Sequence, residues 1–462
     1  MKGIQTLFSH MNPHLVLSSF DILEERGGAI DFSDSRKKVL LKTKLFEDII
    51  KYLEFEIENA KKDSGDVSEL ESELKSIFEQ RDVFDKQIEE LKAKVDKISD
   101  LLEEKDLKKA ITGDQRAQLE EEIGEPIEKL CKSLFERGRY EEAYTYLDYA
   151  DTRSLVVDSK RYLSLKWGKL EISLLSTREF ALVNNDIAKA EEFERFAHLK
   201  DITDPEKKRS EFERLQQDEY ANVECLIADL CNTIEERERV ISPMIAHVHR
   251  ARLWELICFS FIYCERGLLA FVFGTIGKKD DNILISDKKY SNALQTLAPH
   301  CLRYISAFSL LLGTRLNSRK YVAPLVGGRI DSESVAEDEI CTFMLSAFQD
   351  YDFDKAESWV APMTKSLEYD PILCFVAQDF IFICKNIIVD SWLRLYCKLP
   401  ISRFSEFYGV SDEQVEEIIE DILGIQGKKP EDKAKYVTFE DGYVLSPVGN
   451  VNTYQIQLSS LE

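Results

Sequence analysis

Turn-forming residues are scarce in this chain. Eleven prolines and 19 glycines are spread over 462 residues, too few to punctuate a large sheet, and the abundance of Leu, Glu, Lys, Ala and Ile favours helix. The ten cysteines include no C-x-x-C pair. The nearest pairs, Cys225 with Cys231 and Cys258 with Cys264, lie in apolar or helical text, so reduced, mostly buried thiols and an intracellular compartment are expected. Positive charge is also in deficit. With 61 basic against 85 acidic residues the formal charge is −24, which opposes non-specific attraction to RNA, DNA or anionic lipid and leaves only local nucleic-acid contact open.

Motifs of catalysis are missing too. No Gly-rich phosphate loop, H-E-x-x-H, G-x-S-x-G or EF-hand pattern occurs. His247 and His249 are the one close histidine pair, and on a helix their rings would point about 200° apart, poor geometry for sharing a metal. Runs such as Glu120-Glu121-Glu122 are ordinary wetted faces in a chain this acidic. No catalytic, cofactor or metal site is expected, and no enzyme. No basic n-region with an apolar stretch and a small-residue cleavage site opens the chain, so no secretory signal is expected, and the greasiest stretch, Leu253 to Ile276, is interrupted by Glu255, Glu265 and Arg266. A buried helix in a cytoplasmic protein is the expectation, with no membrane contact.

What is present is helical text with enough apolar residues, 44% of the total, to bury real cores, in a length that suits about three ordinary domains. Leu70, Leu74, Ile77, Arg81, Phe84, Ile88, Leu91, Val95, Ile98 and Leu102 alternate in steps of four and three. That is the seam of a heptad helix, broken only at Arg81. It either folds back on the helix written by Val39 to Ile57 or pairs between chains.

Two ungapped segments then resemble one another: Leu134-Phe-Glu-Arg-Gly-Arg-Tyr-Glu-Glu-Ala143 and Ala347-Phe-Gln-Asp-Tyr-Asp-Phe-Asp-Lys-Ala356. Aromatics recur at Phe135 and Phe348 and at Tyr140 and Phe353, and a small residue at Ala143 and Ala356. These are the marks of tetratricopeptide-like hairpins, in which Ala lets antiparallel helices approach and the aromatic fills the turn. Helical text between them predicts a solenoid. Its seams are expected at Asp201 to Glu219, Gly277 to Asp281 and Gly327 to Ser334.

The carboxyl-terminal text is laid out as a winged helix. An apolar helix, Ile372 to Cys397, carries Phe380, Cys384, Ile387 and Leu395 on one side and stops at Pro400. A short helix around Phe404 and Phe407, a turn at Gly409, and a second helix capped by Ser411 follow; Val415, Ile418, Ile419 and Ile422 are its inward face. Tyr436 to Glu440 and Tyr443 to Leu445 are β-prone runs joined at Asp441-Gly442, suited to a type I′ turn. The second helix displays Asp412, Glu413, Glu416, Glu417, Glu420 and Asp421 and no Lys or Arg. Phosphate repels such a helix, so the module is expected to dock proteins and to show no sequence-specific nucleic-acid binding. The β edge at Tyr436, Val437, Phe439, Tyr443, Val444 and Leu445 is the expected partner interface. Lys428, Lys429, Lys433 and Lys435 form one basic loop, interrupted by Glu431 and Asp432, which is either solvated or close to RNA.

Helical hairpins running into a terminal winged helix resemble the PCI architecture shared by scaffold subunits of the proteasome lid, the signalosome and translation initiation factor three. The wording narrows this. Tyr290-Ser-Asn-Ala-Leu-Gln-Thr-Leu-Ala-Pro-His-Cys-Leu-Arg-Tyr304, Leu165-Lys-Trp-Gly-Lys-Leu170 and Tyr351-Asp-Phe-Asp-Lys-Ala356 are similar, in order, to stretches of the E-subunit family of eukaryotic translation initiation factor three. The charged insert around Ala188 to Glu219 and the acidic second helix depart from that family.

The resemblance implies an all-α fold, an elongated solenoid of tetratricopeptide-like hairpins ending in a winged helix with one small β hairpin. The expected segments are N-terminal helices over 1–64, the heptad helix over 65–112, the solenoid over 113–371, the winged-helix part over 372–446 and a helical tail over 447–462. It further implies a non-catalytic scaffold that helps assemble the initiation complex on the small ribosomal subunit and recruit messenger RNA. Implied partners are other PCI-type subunits, with c, d and l foremost, and initiation factor four G. A scaffold of the proteasome lid or signalosome is the alternative.

Overall fold

The computed structural model describes residues 7–26, 31–62, 67–103, 113–152, 158–184, 186–264, 284–311, 318–328, 337–424 and 436–446. They are almost entirely helical, with one small sheet near the carboxyl end, as expected of an all-α PCI-type scaffold. The chain divides into two compact units, Ile4–Ala298 and Pro299–Glu462.

The first unit opens with α1 (Pro13–Glu25), whose Asn12 side chain accepts the His14 N–H as an N-cap. After α2 (Ser33–Leu40) and α3 (Phe46–Lys62) comes the heptad helix, α4 (Ser68–Glu103), followed by α5 (Gly113–Glu136). Helix α4 packs along both α3 and α5, so of the two arrangements left open for the seam the structure contains the one within the chain. Ile88 and Val95 are fully buried with Ile123, Ile127, Leu130 and Leu134; Phe84, Leu91 and Ile98 pack on the same core. Leu74, Ile77 and Arg81 are half-buried. The break at Arg81 is thus polar and wet, its guanidinium 3.0 Å from Asp82 and 4.0 Å from Glu47 of α3.

Helices α5 and α6 (Tyr140–Thr152) form the first repeated hairpin. Ala143 is fully buried, the Phe135 and Tyr140 rings lie 5.4 Å apart, and the chain reverses at Gly138 with φ 84°. A Cβ at Gly138 would sit 2.8 Å from Leu45 Cδ2, so a larger residue would displace that side chain as well as strain the backbone.

Helices α7 (Ser159–Ser176), α8 (Arg178–Val183) and α9 (Ile187–Ala190) follow, then α10 (Pro205–Ile241) and α11 (Pro243–Cys264). The charged insert is a built subdomain: Phe180, Phe196 and Phe212 meet with ring centroids 4.9–5.5 Å apart. Ala190 and Leu199 complete that core. The seam expected at Asp201 to Glu219 is corrected, because Asp204 caps and Pro205 starts a single 37-residue helix across it. Helix α11 is buried from Leu253 to Cys264, and no helix among the described residues is long and apolar enough to cross a membrane. The Gly277 to Asp281 seam lies outside the described residues, as does most of Gly327 to Ser334. Helix α12 (Lys288–Leu297) ends the unit.

The second unit contains α13 (Leu302–Leu311), α14 (Ala323–Gly327), α15 (Glu339–Leu345) and α16 (Phe353–Leu367). The second repeated hairpin runs from α15 through a π turn, Ser346–Asp350, into α16, and Ala356 is fully buried. At the position aligned with Gly138 stands Tyr351, left-handed at φ 56°. The rest is α17 (Ala377–Leu395), β1 (Lys398–Pro400), α18 (Ile401–Tyr408), α19 (Asp412–Ile422), β2 (Thr438–Glu440) and β3 (Tyr443–Leu445).

Candidate partner interface

The terminal module is built on α17, which buries Phe380, Cys384, Ile387, Ile388 and Trp392. Leu395, expected on the same side, is 55% exposed, since the helix ends there and the chain turns into β1. The Trp392 ring meets Phe404 edge-on at 5.9 Å and Phe407 at 5.1 Å, which seats α18. Arg403 lies over Trp392, 4.9 Å from the ring, and reaches both Glu357 carboxylate oxygens at 2.7 and 2.9 Å.

Gly409, with φ 75°, ends α18. Ser411 then starts α19 in a capping box with Gln414, whose Oε1 accepts the Ser411 N–H. Val415 and Ile419 are fully buried, while Ile418 and Ile422 lie half-buried at the margin. Asp412, Glu413, Glu416, Glu417 and Asp421 are exposed and Glu420 half-buried, so the negative face of α19 is wet.

The wing departs from expectation. Instead of a lone hairpin, a three-stranded antiparallel sheet forms in the order β1-β3-β2. The hairpin turn itself is as expected, with Asp441 and Gly442 at φ 50° and 76°, the type I′ signature. Leu399 and Phe439 both face Val444, one from each side. Tyr443 to Leu445 is therefore the middle strand, and its availability as an edge for a partner is corrected: β1 occupies the side expected to be open. Val437 and Val444, at 3% and 2% exposure, are module core; Phe439 and Leu445 are half-buried, and Tyr436 and Tyr443 exposed.

Strand β1 carried no local signal. It has three residues, and its partner is far along the chain, so neither period nor turn announces it.

The outer edges differ. Ser446 N–H donates to Cys397 C=O and Ile401 N–H to Gly442 C=O. In an antiparallel ladder this alternation turns the backbone groups of Leu399 and Val444 toward one another, and those of Lys398 and Pro400 outward. The outer edge of β1 thus presents a lysine and a residue with no N–H, two devices that discourage strand addition. The Lys398 ammonium is also folded over the Tyr443 ring at 3.9 Å. On the other side, Thr438 and Glu440 bond to β3, leaving the Phe439 N–H and C=O facing outward. The basic loop of Lys428, Lys429, Lys433 and Lys435 lies outside the described residues, as does the tail from 447.

The segments that carried the resemblance are structural. Lys166 reaches Asp151 and Asp229 at 2.7 Å each, and Lys169 reaches Asp148 and Asp151 at 2.9 Å each, all half-buried or deeper except Asp148. Trp167 Nε1–H donates to His249 Nδ1 at 3.0 Å. His249 is thereby part of the packing, and His247 bonds separately to Thr296. In the fifteen-residue stretch, Tyr290 C=O accepts the Trp254 indole N–H at 2.9 Å, and Arg250 covers the Tyr290 ring while pairing with Glu235 at 2.7 Å. Leu302 and Tyr304 are fully buried, and Arg303 Nη1 reaches Asp338 at 2.7 Å. Burial works against the Arg303 charge, but Asp338 and Asp370 outweigh it and raise its pKa.

Comparison with known proteins agrees with these stretches. The chain is 22% identical over 418 residues to the E subunit of eukaryotic translation initiation factor 3 from Monosiga brevicollis, covering 89% of this chain and 73% of that protein. Against the E subunit of Caenorhabditis elegans it is 23% identical over 453 residues, 93% and 88% of the two chains. The Arabidopsis thaliana E subunit matches at 24% over 322 residues, 67% and 60%. No family model matches the chain. Over most of its length the chain is thus similar to the E subunits of eukaryotic translation initiation factor 3 from organisms as far apart as an animal, a plant and a choanoflagellate.

Proposed function

We propose that this protein is a non-catalytic scaffold subunit of the translation initiation factor three complex, helping to assemble the initiation complex on the small ribosomal subunit and to recruit messenger RNA. The observation that carries the reading is the match along nearly the whole chain to the E subunits of that factor. The acidic, wet face of α19 supports protein docking over RNA reading.

Residues 372–446 serve as the docking module, held by sister PCI-type subunits. Main-chain pairing would use the outer edge of β2 at Phe439, because β3 is enclosed and β1 is guarded by Lys398 and Pro400. Affinity purification of the tagged chain from its native cells under mild salt, followed by mass spectrometry, tests the assignment. Sister subunits of factor three and small-subunit ribosomal proteins are the expected yield. Proteasome-lid ATPases and ubiquitin receptors in their place would refute it.

A further inference from the structure

Lys385 on α17 is an anomaly in a chain with 85 acidic and 61 basic residues. Its helical neighbours one turn away are Ile381, Phe382, Ile388 and Val389, none of them a carboxylate. No acidic side chain among the described residues pairs with it, and burial, with nothing to offset it, lowers its pKa. Two aromatic faces take the place of a counter-ion: the ammonium lies 5.4 Å from the Phe407 ring and 5.8 Å from that of Tyr408.

The surroundings are set rigidly. Tyr408 Oη–H donates to Asn386 Oδ1 at 2.8 Å, so its hydroxyl is occupied and its ring oriented. Phe407 packs at 5.6 Å from Tyr408 and 5.1 Å from Trp392. At the rim stands Phe382, 41% exposed, its ring 5.9 Å from Tyr408. One half-desolvated cation is therefore framed by two rings, and a third, Phe382, packs against one of them and faces water.

Such a cation gains most from a single arriving carboxylate, because a charge-assisted hydrogen bond forms where water is already partly excluded. The exposed Phe382 face gains from an apolar side chain beside that carboxylate. A polyanion fits poorly, since a chain of formal charge −24 repels phosphates beyond the one that meets Lys385. We propose that Phe382, Lys385, Phe407 and Tyr408 form a docking surface for an acidic–aromatic segment of a partner protein. One carboxylate meets Lys385, and the adjoining apolar side chain covers Phe382.

The test uses the full chain and short fluorescein-labelled peptides with Asp-Phe-Glu, Asn-Phe-Gln or Lys-Phe-Lys set in a Gly-Ser frame, read by fluorescence anisotropy. The Asp-Phe-Glu peptide should bind about tenfold tighter than the Asn-Phe-Gln peptide, and Lys385→Met should remove that difference. Lys385→Glu should invert the preference towards Lys-Phe-Lys. Circular dichroism of each variant reports the fold, and Phe382→Ala, at the exposed rim, should weaken binding without touching the core. Equal affinity for the acidic and neutral peptides, or unchanged binding by Lys385→Met or Phe382→Ala, overturns the proposal. So does an oligo-uridine that binds the wild type and is lost in Lys385→Met while the acidic peptide fails to bind. None of these variants alters the sheet edge, so failure here leaves the factor-three reading standing.

Discussion

Arg303 Nε–H donates to Asp370 Oδ2 at 3.0 Å, while Oδ1 of the same fully buried carboxylate accepts the backbone N–H groups of Ile372 and Leu373 at 3.0 and 3.2 Å. The pair ties the start of α13 to the turn that launches the terminal module.

Removing the cation should therefore cost more than an ordinary surface pair. Arg303→Met leaves Asp338 and Asp370 short of charge in a buried place, and stability should fall by about 3–5 kcal/mol. Urea unfolding followed by the fluorescence of Trp359 and Trp392 measures the loss. A change below about 1 kcal/mol, the value of an exposed pair, would show that the network is idle.

Phe439→Pro separates the edge of β2 from its ladder. The Phe439 N–H faces away from β3, so proline there should spare the sheet while removing the outward donor. Helical content and thermal unfolding should stay close to wild type, with co-purification of sister subunits reduced. Val444→Pro should behave differently: it breaks a core strand, and its unfolding temperature should drop. Undiminished partner recovery with Phe439→Pro would rule out pairing along that edge.

His14 predicts a pH dependence in the first unit. Its Nδ1 lies 2.8 Å from Tyr140 Oη, and burial lowers its pKa from 6.5 to about 4, with Glu136 partly opposing. Between those values the unfolded chain binds a proton that the native chain does not. This contribution is complete above pH 6.5 and is lost as pH falls towards 4, by at most about 3 kcal/mol. Thermal unfolding across that range should show a steeper decline for wild type than for His14→Gln. Parallel curves would count against the assignment.

Much of this architecture can be read locally. The two aligned hairpins share not only their aromatics and alanines but a left-handed residue at the same position, Gly138 in one and Tyr351 in the other. Recognition survived the change because the buried alanine and aromatic packing, more than the turn residue, define the pair. The heptad spacing of α4 and Ser411 as the N-cap of α19 were likewise visible, since both are short-range; the structure adds Gln414 as the reciprocal partner. What escaped was non-local. Phe180, Phe196 and Phe212 converge from three separate elements, and no window of polar text containing one of them foretells the other two. Strand β1 escaped for the same reason, and with it the enclosure of β3. Lys385 was hidden differently: an ordinary lysine in sequence becomes unusual only when the structure shows that, among the described residues, no acidic side chain pairs with it.

Pro400 has a consequence beyond its own strand. With that flank guarded and the Phe439 flank open among the described residues, the sheet they form can lengthen in one direction alone. A row of such modules would then have a head and a tail, and this chain could close the row at one end without any separate stop.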